Sequence, residues 1–207
     1  MINRLKKKFG VNIPITLNEI LDEMNEYSRS RVLQLLKKAQ QDQTIIKYIK
    51  GIYYIPTKTS YGKSLIRPEE VVIKKYLRNK DNIIGIYSGL QLQQNFLLTT
   101  QIPNTIEVIT NNETMCKREI KIANRKVILR KSRLPINNEN VAAYTLLELF
   151  NMMGIEKFKS DYSVQRKISN FIKDNYIKKT DVIKIIEYFP AKTSKKIIES
   201  GISNELA

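Results

Sequence analysis

The feature that most constrains this chain is a change of hydrophobic period inside its first 56 residues. Val32, Leu35, Leu36 and Ala39 recur at helical spacing, which predicts a helix from about Ser28 to residue 41. From Thr44 the pattern becomes β-rich: Thr44-Ile-Ile-Lys-Tyr-Ile-Lys-Gly-Ile-Tyr-Tyr-Ile-Pro56 reads as two strands around a Lys50-Gly51 turn. Two helices precede this switch. Residues 2–9 place Ile2, Leu5 and Phe9 on one side and stop at Gly10. Thr16-Leu-Asn-Glu19 is a capping-box pattern that opens a helix to about residue 25.

Three helices followed by a β-hairpin is the order of a winged helix-turn-helix. The third helix is the informative one. Ser28 is its expected N-cap, and its other face carries Arg29, Ser30, Arg31, Gln34, Lys37 and Lys38, with no acid before Asp42. Cations and hydrogen-bonding groups on the first turns of such a helix suit base edges and phosphates in a major groove. Lys47, Tyr48 and Lys50 are expected at the hairpin tip, within reach of phosphate or sugar.

Charge points the same way but less sharply. The chain has 36 Lys+Arg against 20 Asp+Glu, a formal +16, over 207 residues. A polyanionic partner is the first inference from such a balance. Yet 26 Lys, 31 Ile and 18 Asn share A/T-rich codons, so placement carries more information than the total. His is absent and Cys116 stands alone, which excludes imidazole metal ligation, a Ser-His-Asp triad, a Cys-His pair and an intramolecular disulfide. The basic amino terminus is followed by no apolar stretch, and no run of about 18 apolar residues occurs anywhere. A cytoplasmic protein without membrane contact is expected.

The polar, proline-bounded stretch 57–67 reads as a linker between a first domain, 1–56, and a second, 68–207. After Pro68 a helix to about residue 79 is expected, with Glu69 and Glu70 at its positive end. Ile83–Ser88 and Thr105–Thr110 read as strands, Gly89–Leu98 as a helix, and 118–130 as a hairpin turning near Asn124-Arg125. Helices follow from Asn140 to Gly154 and at Ser163–Lys173, Asp181–Phe189 and Ser194–Ser200. The fold class is therefore α+β: a winged helix, then a mixed domain with a helical carboxyl-terminal part. Arg118, Lys121, Arg125, Lys126, Arg130, Lys131 and Arg133 cluster about the second hairpin as a further basic surface.

The ordered series Lys50-Gly-Ile-Tyr-Tyr-Ile-Pro56, Gly85-Ile-Tyr-Ser-Gly89, Leu98-Thr-Thr-Gln-Ile-Pro103 and Ile106-Glu-Val-Ile-Thr-Asn111 resembles the AbiEi-like antitoxins of type IV toxin–antitoxin and abortive-infection systems. The resemblance covers about residues 10–150. It implies that the winged helix binds double-stranded operator DNA and represses its own operon. It also implies that the second domain counters a nucleotidyltransferase-like toxin without a stable complex. A homodimer on DNA fits, because repressors often read paired half-sites. No catalytic residue is carried over, and no cofactor or metal is expected.

Two other readings are open. One is a winged-helix regulator whose second domain senses a ligand. The other is a Mg²⁺-dependent nuclease built on Glu119-Ile-Lys121, in which Glu119 would hold the metal and Lys121 the attacked phosphate. That chemistry also needs an upstream Asp, and Pro103 is followed by Asn104. No phosphate-cradling glycine loop is present, and Ser88 in Tyr-Ser-Gly lacks both the first glycine of a nucleophile elbow and a histidine base.

Overall fold

The structure, a computed structural model, describes residues 1–60 and 62–206. It is mixed α+β, as expected, and divides into two compact units, Met1–Lys75 and Tyr76–Ala207.

The first unit runs α1 (Ile2–Phe9), β1 (Ile15–Thr16), α2 (Leu17–Glu23), α3 (Arg29–Gln41), β2 (Ile46–Ile49) and β3 (Ile52–Tyr54). The two expected caps are present. Glu19 N–H donates to Thr16 Oγ1 at 3.1 Å, and Thr16 N–H donates to the Glu19 carboxylate at 2.9 Å. Arg31 N–H donates to Ser28 Oγ at 3.3 Å. Each cap satisfies a helix-end donor and is worth about 1 kcal/mol. The strands form an antiparallel sheet in the order β1-β3-β2, with Ile15 opposite Tyr53 and Ile46 opposite Tyr54. Leu5, Ile15, Ile20, Val32, Leu36 and Ile45 are fully or almost fully buried in one core. Burying each such side chain contributes about 1.5–3 kcal/mol.

The stretch 57–67, expected as a linker, is part of this unit. It forms a small hairpin of β4 (Lys58–Thr59) and β5 (Gly62–Lys63). Its polar groups are spent on the unit: Lys63 Nζ donates to the Gln43 carbonyl at 2.9 Å and Tyr54 OH to the Ser64 carbonyl at 3.1 Å. Asn12 and Ser64 are hydrogen-bonded as well. The expected long helix after Pro68 is also shorter. α4 (Pro68–Val72) widens into one π-helical turn, Ile73–Leu77, with Tyr76 and Leu77 both buried. A two-residue-stranded hairpin follows, β6 (Arg78–Asn79) with β7 (Asn82–Ile83).

The second unit is built on a four-stranded sheet in the order β10-β11-β9-β8: β8 (Gly85–Ser88), β9 (Thr105–Thr110), β10 (Arg118–Ile122) and β11 (Arg125–Lys131). β9 and β11 are parallel and the other pairs antiparallel. α5 (Gly89–Asn95) leaves β8 directly. The glycines that bracket β8 are both needed. A Cβ on Gly85 would lie 2.3 Å from the Tyr76 carbonyl oxygen, and Gly89, at φ +60°, abuts the Glu107 carboxylate.

Helices α6 (Val141–Met152), α7 (Ile155–Ser160), α8 (Tyr162–Asp174), α9 (Lys179–Ile186) and α10 (Ala191–Glu199) complete the unit. α6 is its centre. Tyr144, Leu146, Leu147, Leu149 and Phe150 are all fully buried, so apolar residues surround much of the helix. Edge-to-face rings lock the others on: Phe96 with Phe171 at 5.0 Å, Tyr144 with Phe189 at 5.1 Å. α7 has no counterpart in the sequence reading; six residues carry too little periodicity to register. Among the described residues, no helix is long and apolar enough to cross a membrane.

Candidate nucleic-acid interface

α3 buries Val32, Leu36 and Ala39. At 100° per residue, Ser30, Arg31, Gln34, Lys37 and Lys38 fall on the opposite side, with Arg29 at its flank. All of them, and the cap Ser28, are exposed. Arg31 Nη1 donates to Gln34 Oε1 at 3.4 Å, which sets two adjacent hydrogen-bonding side chains side by side. None of Arg29, Arg31, Lys37 and Lys38 has a carboxylate within ion-pair distance among the described residues.

Four glutamates of this unit are occupied elsewhere. Glu23 takes both Arg4 (2.6 Å) and Lys8 from α1, and Glu26 takes Arg4 at 2.6 Å. Glu19 pairs with Lys74 at 2.5 Å and Glu70 with Arg67 at 2.9 Å. Burial pushes the Glu19 carboxyl up, but Lys74 and the Thr16 hydrogen bonds outweigh it and hold the group below its ordinary range. The basic first helix is thus partly neutralised by Glu23 of α2 and by Glu26 just beyond it, while the cations of α3 meet no carboxylate among the described residues. The pairings of α1 span 15 to 22 residues and have no local signature.

Lys50 lies in the β2–β3 turn, whereas Lys47, expected at the tip, lies within β2 opposite Tyr53; both are exposed and have no carboxylate partner among the described residues. Tyr48 departs from expectation. It is half-buried, its ring edge-on to Tyr54 at 6.2 Å, and burial raises its phenol pKa. A register shift between Lys47 and Ile49 turns it onto the packed side. The turn itself is short and pinned, since Leu17 N–H donates to the Gly51 carbonyl at 2.9 Å.

The second basic cluster is brought together only in part. Arg118 pairs with the buried Glu113 at 2.7 Å, Lys126 with Glu119 at 2.8 Å, and Arg130 with Glu107 at 3.2 Å. Arg133 lies over the Phe189 ring at 5.3 Å, and Arg125 also has an interaction partner. Among the described residues, only Lys121 and Lys131 of the seven are left without a partner. Glu119, the metal ligand of the nuclease reading, is exposed and held below its ordinary pKa chiefly by the hydrogen bond from Lys126. Among the described residues, no group of three or more Cys, Asp or Glu side chains is placed to hold a metal ion.

Ser88 has a role that the sequence does not disclose. It is buried, and its Oγ donates to Glu148 Oε1 of α6 at 2.9 Å. Asn151 Nδ2 donates to the other carboxylate oxygen at 3.3 Å. Burial raises the Glu148 pKa; the Ser88 and Asn151 hydrogen bonds and the charges of Arg133 and Arg130 offset this only in part. The pair joins β8 to α6 inside the core, 60 residues apart in sequence.

These features define an α+β protein of two compact units whose first unit presents an unpaired cationic helix. The chain belongs to a family of unknown function, DUF6088, whose model matches residues 4–180. No curated protein and no solved structure matches it.

Proposed function

We propose that this protein is a DNA-binding, autoregulating antitoxin whose first unit is a winged helix-turn-helix. The order α1-β1-α2-α3-β2-β3, with sheet order β1-β3-β2, supports the winged-helix reading. The observation that carries DNA binding is the distribution of ion pairs. Glu19, Glu23, Glu26 and Glu70 pair with α1, with Arg67 and with Lys74, and among the described residues none pairs with the cations on the exposed side of α3. Uncompensated cations flanking a paired Arg31 and Gln34 suit phosphates and base edges of an operator duplex. Phosphate contacts supply affinity and salt dependence; Arg31 and Gln34 supply selectivity.

The antitoxin part rests on the resemblance of Gly85–Gly89, Leu98–Pro103 and Ile106–Asn111 to the AbiEi-like series, with a nucleotidyltransferase-like toxin as the opposed protein. A mobility-shift titration with duplex from upstream of the protein's own gene tests the first part. Arg31→Ala with Gln34→Ala should weaken specific binding by about 1–3 kcal/mol per lost base contact and leave the melting curve in place. Unchanged affinity would remove α3 as the reading helix.

A further inference from the structure

The Glu119-Ile-Lys121 motif is left without a function by the DNA reading, and its position in the sheet suggests one. β10 is an edge strand: it pairs with β11 on one side, and no main-chain hydrogen bond reaches its other side among the described residues. Arg118, Glu119 and Lys121 are exposed, Ile120 is half-buried and Ile122 is buried. The β10–β11 connection has two residues, Ala123-Asn124, and Ala123 has φ 52°, the mark of a primed hairpin turn. In such a hairpin the closing pair Ile122 and Arg125 exchanges hydrogen bonds, and alternation then turns Ile120 inward to Val127 as well. The main-chain N–H and C=O groups of Glu119 and Lys121 therefore point to the open edge.

We propose that this edge pairs with the same edge of a second copy of the chain, antiparallel and centred on Ile120. That register sets Glu119 of each copy opposite Lys121 of the other, the two residues whose main-chain groups face outward. About four main-chain hydrogen bonds form across the two-fold axis. Ile120 meets its own copy at the non-hydrogen-bonded position, where side chains come closest. Neighbouring registers are worse: centring on Glu119 or on Lys121 opposes like charges. The pairing also answers an imbalance within the chain. Lys121 lies directly across from Lys126, and Glu119 is already shared by Lys126 and Lys117. The partner's Glu119 supplies the carboxylate that Lys121 lacks. A five-residue strand makes a small interface, so the association is concentration-dependent.

The proposal does not rest on DNA binding, and its test uses none. Sedimentation velocity of the full-length chain over a rising concentration series should show a monomer–dimer equilibrium. Glu119→Lys and Lys121→Glu should each weaken self-association about tenfold or more, since each turns two attractive cross-strand pairs into repulsive ones. Mixing the two variants should restore the dimer, because one copy then presents two lysines and the other two carboxylates. The double variant Glu119→Lys/Lys121→Glu should dimerise alone. Far-ultraviolet dichroism and melting of each variant report whether the fold is retained. A wild type that stays monomeric throughout would overturn the proposal, as would dimers that persist in both single variants or a mixture that fails to re-associate.

Discussion

The exposed side of α3 and the β10–β11 hairpin are both cationic, but their charges are used differently. Arg118, Lys126 and Arg130 each meet a carboxylate of their own unit. Among the described residues, Arg29, Arg31, Lys37 and Lys38 meet none. A paired cation mainly holds the fold together and adds little long-range field. An unpaired row keeps its field for a partner, at the cost of some self-repulsion. Counting basic residues treats the two regions as equals; counting their partners separates them.

The sharpest way to break this comparison is charge reversal. On the proposed DNA-binding role, Lys37→Glu with Lys38→Glu should lower duplex affinity about a hundredfold at low salt and flatten the salt dependence, because the two phosphate contacts proposed for them become repulsive. Lys126→Ala in the hairpin should change affinity by no more than about twofold. Fluorescence anisotropy across a salt series checks both, and equal losses from the two regions would end the distinction.

A stability measurement sharpens it from the other side. Arg118→Ala leaves the Glu113 carboxylate, 3 % exposed, without its cation and should cost about 2 kcal/mol, read as a lower urea midpoint. Arg29→Ala on α3, with no partner to strand, should stay within about 0.5 kcal/mol.

The smallest effect concerns a group outside both regions. The Glu148 carboxyl titrates above its ordinary range in the folded chain, so the native state holds a proton that the unfolded state has released. The burial therefore adds no pH-dependent cost below the unfolded pKa; the cost grows as pH rises from there and levels off above the folded pKa. Glu148→Gln should remove that slope between acidic and neutral pH; Ser88 can still donate to the amide oxygen. Urea midpoints measured over that range check it, and an unchanged slope would mean that another group sets it.

Much of the first unit was legible in the sequence because its signals are local. The Thr16–Glu19 box, the Ser28 cap, the Val32-Leu36-Ala39 stripe and the Lys50-Gly51 turn each act over four residues or a few more. The four strands of the main sheet were legible for the same reason. The parallel pairing of β9 with β11 was not, since it joins strands across an intervening hairpin. Nor was the half-buried Tyr48, which depends on a register shift in its strand. The Gly85-Ile-Tyr-Ser-Gly89 motif was legible as a strand end and as part of the resemblance, but not in its structural role. Its glycines answer close contacts with Tyr76 and Glu107, and its serine a carboxylate on α6.

By itself, then, the sequence determined the three helices and first hairpin of the first unit, the main strands of the second, the Thr16 and Ser28 caps, and that histidine chemistry is excluded; α7, the 57–67 hairpin and the early end of α4 escaped it. Periodicity, capping and composition act within a turn or two, or require no structure at all. Only the tertiary structure decided which cations remain available. Glu23 finds Arg4 and Lys8, and Glu113 finds Arg118, because packing brings these elements together. An ion pair depends on distance in space, which the linear order of charges does not contain.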